Sequence, residues 1–153
     1  MWYEFNQNNS GGYFVVNDNL CCRVFIEANS LEEATTKAEK LGCYWDGVAS
    51  GIDCPCCGDR WSGGEEINMN QLREYSVVDY DSEEPWYKKY GRYTVVDPPK
   101  HETIFRFSRY AGKISFRTIE EYAQYLAYEY GWTTPDSRIY YANGTIKEIF
   151  KEV

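Results

Sequence analysis

The chain has 153 residues, which fits one domain, or one domain with an elaborated middle, and lets a core form without disulfide staples. Its formal net charge of -8 argues against non-specific binding to phosphate backbones, which needs an excess of Lys and Arg. No apolar run approaches the roughly 18 to 20 residues that cross a bilayer, so the expectation is a soluble protein with no membrane partner.

Trp2 to Phe5 reads as a strand and Asn6 to Gly12 as a turn, because Asn and Gly tolerate left-handed backbone. Tyr13 to Val16 returns as a second strand and Cys21 to Ala28 forms a third. In the third, alternation puts Cys22, Val24, Ile26 and Ala28 on one face and favours burial of Cys22 over Cys21. Ser30-Leu31-Glu32-Glu33 is a capping box that opens a helix ending at Gly42. Cys43-Tyr44-Trp45 reads as another strand, and Asp46 to Gly64 is a cysteine-rich loop. Gln71 to Tyr80 and Arg92 to Val96 are strand candidates around a polar stretch, and Pro98-Pro99 breaks what precedes it. Thr103 to Arg109 and Lys113 to Arg117 read as a hairpin turning at Tyr110-Ala111-Gly112. Thr118-Ile119-Glu120-Glu121 is a second capping box, whose helix ends at Gly131. Arg138 to Ala142 and Thr145 to Phe150 flank Asn143-Gly144, the strongest short signal for a hairpin.

These elements predict an α+β fold: antiparallel sheet covered by two helices, with a Cys-rich loop. Both ends follow one plan of hairpin, capping box, helix and strand, so a duplicated β-β-α-β unit is one reading and coincidence the other. The pattern divides the chain into 1–64, an irregular aromatic stretch 65–100, and 101–153, all within one compact domain.

Asp53-Cys54-Pro55-Cys56-Cys57-Gly58-Asp59-Arg60-Trp61 holds three of the six cysteines. Cys54-x-x-Cys57-Gly58 is a metal-binding knuckle, but a structural zinc needs four ligands and the sequence has no second Cys-x-x-Cys. Three readings stand. In the first, Cys54 and Cys57 bind zinc, with the remaining ligands from Cys56, Cys43, Cys21, Cys22, His101 or a second copy in a homodimer. In the second they form a redox pair, which would want the first thiol at a helix N-terminus. In the third they are reduced thiols closing a turn. The N-terminus has no basic and apolar leader pattern, so the thiols are expected to be reduced, as in a cytoplasm.

Several segments resemble an uncharacterised family of small tailed-bacteriophage proteins. They are Phe5-Asn6-Gln7-Asn8-Asn9-Ser10-Gly11-Gly12, the helix box after Ile26-Glu27-Ala28, and Gly51 to Trp61. Glu120 to Leu126 and Gly144 to Ile149 are similar to segments of the same family. The N-terminal resemblance covers about the first 62 residues of the chain. It implies an accessory protein acting in the cytoplasm of an infected bacterium, with no chemistry attached to particular residues.

Asp59, Arg60 and Trp61 form a candidate binding patch, since Arg offers a planar fork for anions and Trp a stacking face. The competing reading is an internal Asp–Arg pair with Trp61 in the core. Arg106, Arg109 and Arg117, with Phe105, Phe107, Phe116 and Lys113, make the one locally basic aromatic region, suited to a small anionic ligand. His101 is the sole histidine, and no nucleophile, phosphate-loop or zinc-protease motif occurs. The expectation is therefore a protein without catalytic residues that binds and inhibits a host protein, an antiviral-defence protein in the specific version, through an acidic, aromatic surface. The alternative is a nucleotide or signalling-molecule binder, and a zinc-dependent enzyme is third.

Overall fold

The structure is a computed structural model that describes residues 1–68, 73–77, 94–95, 110–131 and 135–150. The expected strand over Thr103 to Arg109, together with Arg106, Arg109, His101 and Pro98-Pro99, lies outside the described residues. The chain divides into two compact units, Met1–Ile67 with Ala123–Val153, and Asn68–Tyr122. The sequence pattern sets its boundaries at 64 and 100 within one domain.

The first unit is built on strands β1 (Trp2–Gln7), β2 (Arg23–Glu27), β3 (Trp61–Glu66), β7 (Ser137–Tyr140) and β8 (Ile146–Ile149), in the order β3-β1-β2-β7-β8. β1 pairs antiparallel with both β2 and β3, and β7 with β8, whereas β2 and β7 run parallel. The sheet is therefore mixed: the expected α+β fold is present, with one parallel junction among otherwise antiparallel pairs. The second unit holds β4 (Arg73–Val77), β5 (Thr94–Val95) and β6 (Tyr110–Ser115), antiparallel in the order β4-β6-β5. Tyr110-Ala111-Gly112, expected as a hairpin turn, is the first half of β6 and pairs with Val77, Ser76 and Tyr75. Cross-strand pairing overrides the local preference of a glycine for turns.

Both helices begin as the sequence predicts. Helix α1 (Leu31–Leu41) opens with the Glu33 amide donating to Ser30 Oγ at 3.1 Å, and Glu33 Oε2 accepts from the Asn29 amide at 3.1 Å. Helix α2 (Ile119–Tyr130) repeats the device with the Glu121 amide on Thr118 Oγ1 and Glu121 Oε2 on the Arg117 amide, both at 3.2 Å. Each acid thus reaches the amide just before the cap residue, satisfying donors that helix starts leave open. Gly42 ends α1 at φ 119°, a backbone that L side chains rarely adopt. The shared plan stops at the helices: β1 and β2 are neighbours in the five-stranded sheet, while β6, the strand before α2, belongs to the other sheet.

The core lies under α1. Ala34 and Ala38 let the helix approach β1, β2 and β3, where Tyr3, Phe5, Val24, Ile26 and Trp61 fill one face. Burial of such side chains contributes roughly 1.5–3 kcal/mol each. The opposite face carries Glu4, Asn6, Arg23 and Phe25, where Leu126 of α2 lines a cleft together with Glu4, Asn6 and Arg23. Because both faces of β2 are covered, Cys21 and Cys22 are both buried, and alternation does not separate them.

Two expected strands are not strands. Tyr13 to Val16 runs without a sheet partner, because one side chain takes the place of a neighbouring strand. The Gln7 amide accepts from the Val15 N–H at 2.9 Å and donates to the Val15 carbonyl at 2.7 Å. Cys43 to Trp45 follows the Gly42 stop as irregular chain, with Cys43 buried and Trp45 Nε1 donating to Glu39 at 2.8 Å. The Asn143-Gly144 hairpin forms as predicted, with Gly144 at φ 90°.

Candidate functional site

The Asn-rich motif and the cysteine motif meet at one buried arginine. Arg60 is 4% exposed. Its Nη2 donates to the Ser10 carbonyl at 2.6 Å and its Nη1 to the Tyr13 carbonyl at 2.7 Å. The guanidinium also lies 4.6 Å from the centre of the Tyr13 ring. Its countercharge is Asp53, at 3.9 Å from Nε. Asp53 in turn accepts from the Tyr44 hydroxyl at 2.6 Å and from the Arg60 backbone N–H at 2.8 Å. Burial pushes the Asp53 carboxyl up, but these two donors and the Arg60 charge outweigh it and hold the group below its ordinary value. Gly47 makes room for this carboxylate: a Cβ there would stand 1.9 Å from Asp53 Oδ2.

Asn8 fastens the same loop to the cysteine turn. Its Nδ2 donates to the carbonyls of Cys57 at 3.2 Å and Asp59 at 2.7 Å, while its Oδ1 accepts from the Ser10 amide at 2.8 Å. Ser10 Oγ accepts from the Cys54 amide at 3.1 Å. Cys54 to Gly58 forms a tight turn, in which the amides of Cys57 and Gly58 donate to the Cys54 carbonyl at 3.1 and 3.2 Å. Cys56 and Cys57 are exposed and Cys54 half-buried. The Cys57 thiol, then the backbone N–H groups of Cys57 and Cys56, stabilise the Cys54 thiolate and lower its pKa. Burial instead pushes the Cys21 and Cys43 thiols up to about 12. Among the described residues, no three His, Cys, Asp or Glu side chains are grouped to hold a metal ion.

On the face of the sheet away from α1 lies a cleft of about 500 Å³. Amide side chains dominate its polar lining: Asn6, Gln7, Asn8 and Asn9. Glu4 and Arg23 add charge, and Phe14 and Leu126 give apolar walls. Arg23 is held by Asp136, which is fully buried, through contacts of 2.8 and 2.6 Å. Gln7 and Asn8 are committed to the internal bonds described above. Asn6 Oδ1 differs: it is buried without a hydrogen-bond partner. An orphaned buried acceptor costs about 1–3 kcal/mol unless something donates to it.

The expected Asp59-Arg60-Trp61 patch does not assemble. Asp59 is exposed and accepts the Val48 amide at 2.9 Å, Arg60 faces inward to Asp53, and Trp61 is 3% exposed in the core. The internal pair exists, but its acid is Asp53. Arg117 is exposed and stands 3.4 Å from Glu121. The residues that sequence reasoning missed are Gln7, Asp53, Tyr44 and Asn6. Gln7 left a readable signal: it shares the period-two face of Tyr3 and Phe5, so a polar side chain falls on the buried side of β1.

Among the described residues, no helix is long and apolar enough to cross a membrane. Residues 1–98 match the model of a family described as Domain of unknown function (DUF7296), a span that includes the Asn-rich loop, Arg60 and the cysteine turn. No curated protein and no solved structure matches the chain.

Proposed function

Because the chain belongs to the DUF7296 family, whose description assigns no activity, we propose its function from its own geometry: it is a non-enzymatic binding protein that holds a small polar ligand in the cleft over Asn6. The observation that carries this reading is the buried, unpartnered Asn6 Oδ1 in the cleft lining. The atom itself has almost no surface open to the cleft, so a ligand N–H completes it only as the Asn6 amide or its neighbours shift on binding. The volume lies within the roughly 300–1,000 Å³ usual for small-molecule sites, and the lining is more polar than is ordinary for them, with amide and charged side chains around Phe14, Cys22 and Leu126. Phe14 and Leu126 wall the cleft and the Asn6 and Asn9 amides offer edge contacts, a lining that suits a nucleobase or another planar amide-bearing group. With Asp136 balancing Arg23, recognition falls on the base of a nucleotide or signalling molecule more than on its phosphate. In the phage setting that the sequence resemblance implies, such a protein would sequester the ligand in the host cytoplasm.

The test is a thermal-shift series on the full chain with nucleobases, nucleosides, mononucleotides and inorganic phosphate. A ligand at 100 times its Kd stabilises by about 2.7 kcal/mol, which in a protein of this size raises Tm by roughly 5–10 °C. Base-bearing compounds should shift wild type and shift Asn6→Leu by about half as much or less. A shift by phosphate alone, or an equal shift in both proteins, overturns the reading.

Engagement of a host protein is a second reading, favoured by β8. Among the described strands this one is an edge of its sheet, and Ile146 at its start and Phe150 just after it are 55% and 48% exposed. Edge strands with apolar side chains accept an added strand from a partner. Ile146→Lys should abolish capture of a host protein while leaving the fold intact, and unchanged capture would refute the edge as the contact.

A further inference from the structure

The cysteine turn presents half of a tetrahedral sulfur site on the surface of the first unit. The Cys57 and Gly58 amides close the turn on the Cys54 carbonyl at 3.1 and 3.2 Å, which brings Cys54 and Cys57 together on one tight turn outside the buried core. On a tetrahedral zinc ion with sulfur at about 2.3 Å, two sulfurs stand about 3.8 Å apart, a span that two side chains three residues apart in a tight turn can bridge. The turn is also fixed before any metal arrives. Ser10 Oγ holds the Cys54 amide, and Asn8 holds the carbonyl of Cys57.

A single copy cannot finish the site from its described residues. Cys21, Cys22 and Cys43 are buried in the sheet and its core, and no third His, Cys, Asp or Glu among the described residues joins the pair. Cys57 is exposed and Ile52, just before the turn, is 65% exposed. The turn can therefore approach another surface, with an apolar side chain beside it. A two-fold axis through the ion would bring up an identical pair, the usual self-complementary closure of a dimer.

We propose that the Cys54–Cys57 turns of two copies of this chain close around one zinc ion, giving a four-sulfur site shared across a homodimer. Each copy contributes two thiolates, and the thiol protons pass to buffer as the metal binds. Cys56, exposed on the same turn, is left out of the ligand set because Cys54 and Cys57 of two copies already supply four sulfurs. The inference does not rest on the cleft, which shares only Asn8 with the support of the turn.

The experiment uses the reduced full chain, stripped of metal and then given zinc alone, at about 0.15 M salt, where the Debye length of ≈ 8 Å screens the repulsion between two acidic copies. Native mass spectrometry and sedimentation should show a dimer with one zinc per two chains, returning to monomer on chelation. Cobalt in place of zinc should give the sulfur-to-metal charge-transfer bands of a tetrahedral thiolate site. Cys54→Ser and Cys57→Ser should each lose the zinc and the dimer with circular dichroism unchanged, while Cys56→Ser and His101→Ala keep both. Wild type that binds no zinc, or one zinc per monomer, overturns the proposal. So does a full zinc dimer in Cys57→Ser, or loss of zinc in folded Cys56→Ser or His101→Ala.

Discussion

Replacing Arg60 by Met keeps an unbranched stem in place and removes the guanidinium. Three things are left behind: the buried carboxylate of Asp53 without its countercharge, and the carbonyls of Ser10 and Tyr13 without their donors at 2.6 and 2.7 Å. Breaking a buried ion pair from one side costs about 3–5 kcal/mol, and an unsatisfied buried carbonyl about 1–3 kcal/mol. The costs do not simply add. Asp53 keeps its bonds from the Tyr44 hydroxyl and the backbone N–H of residue 60, and the 3.9 Å separation from Nε is long for a contact pair. A net loss of about 4 kcal/mol follows, a large part of the roughly 5–15 kcal/mol that holds a domain together. Urea unfolding followed by circular dichroism reads it directly. With a slope of about 2 kcal/mol per molar urea, the midpoint falls by about 2 M. Arg60→Lys should fall between, because an ammonium can face Asp53 but cannot fork to both carbonyls. A midpoint drop below about 0.5 M for Arg60→Met, with an unchanged slope, would refute the clamp.

The Asp53 carboxyl, held below its ordinary value of 3.8, makes a second prediction. Its stabilisation is present above the unfolded value and disappears as pH falls through the lower folded value. The stability gap between wild type and Asp53→Asn should be constant above about pH 5 and shrink below pH 4, and a gap independent of pH in urea titrations would contradict this. Gly47→Ala places a Cβ 1.9 Å from Asp53 Oδ2 and 2.8 Å from Tyr44 Cε2. It should cost about 1–3 kcal/mol, read as a drop in calorimetric Tm, and an unchanged Tm would show that the pocket for the carboxylate is not tight. Iodoacetamide at neutral pH should label Cys54, Cys56 and Cys57 in the native protein and spare Cys21, Cys22 and Cys43, which are buried. Intact mass would show the three additions, rising to six in urea, and rapid native labelling of Cys21 or Cys43 would be inconsistent with thiols pushed up to about 12.

The parts of the fold legible in the sequence are those written in short spans. Ser30 with Glu33, Thr118 with Glu121, the Gly42 stop and Asn143-Gly144 each encode their geometry within a few residues, and each stands where the pattern put it. The parallel junction of β2 and β7 is different. It depends on groups 113 positions apart, with Arg23 reaching Asp136, and no local preference announces it. Tyr13 to Val16 misled for a related reason: its residues suit a strand, but the Gln7 side chain satisfies its backbone first. At the site, the two motifs were visible and their junction was not. Arg60 stands beside Asp59 in the chain, yet the turn points its side chain at Asp53. Asn6 gave no sign at all, since a polar residue on a strand facing away from the main core is ordinary until the cleft over it is seen.

The central claim, that the Asn6 cleft is a ligand site, is tested most directly by what the protein carries. Wild type and Asn6→Leu would be expressed side by side in bacteria, purified by the same route without chelator, denatured by heat, and the released small molecules compared by mass spectrometry. The account predicts a base-bearing or amide-bearing compound from wild type and at least a tenfold smaller amount from a folded Asn6→Leu, since losing one paired buried acceptor contact of about 1.4 kcal/mol already weakens binding tenfold. Equal amounts from the two proteins, or nothing from either, would contradict it.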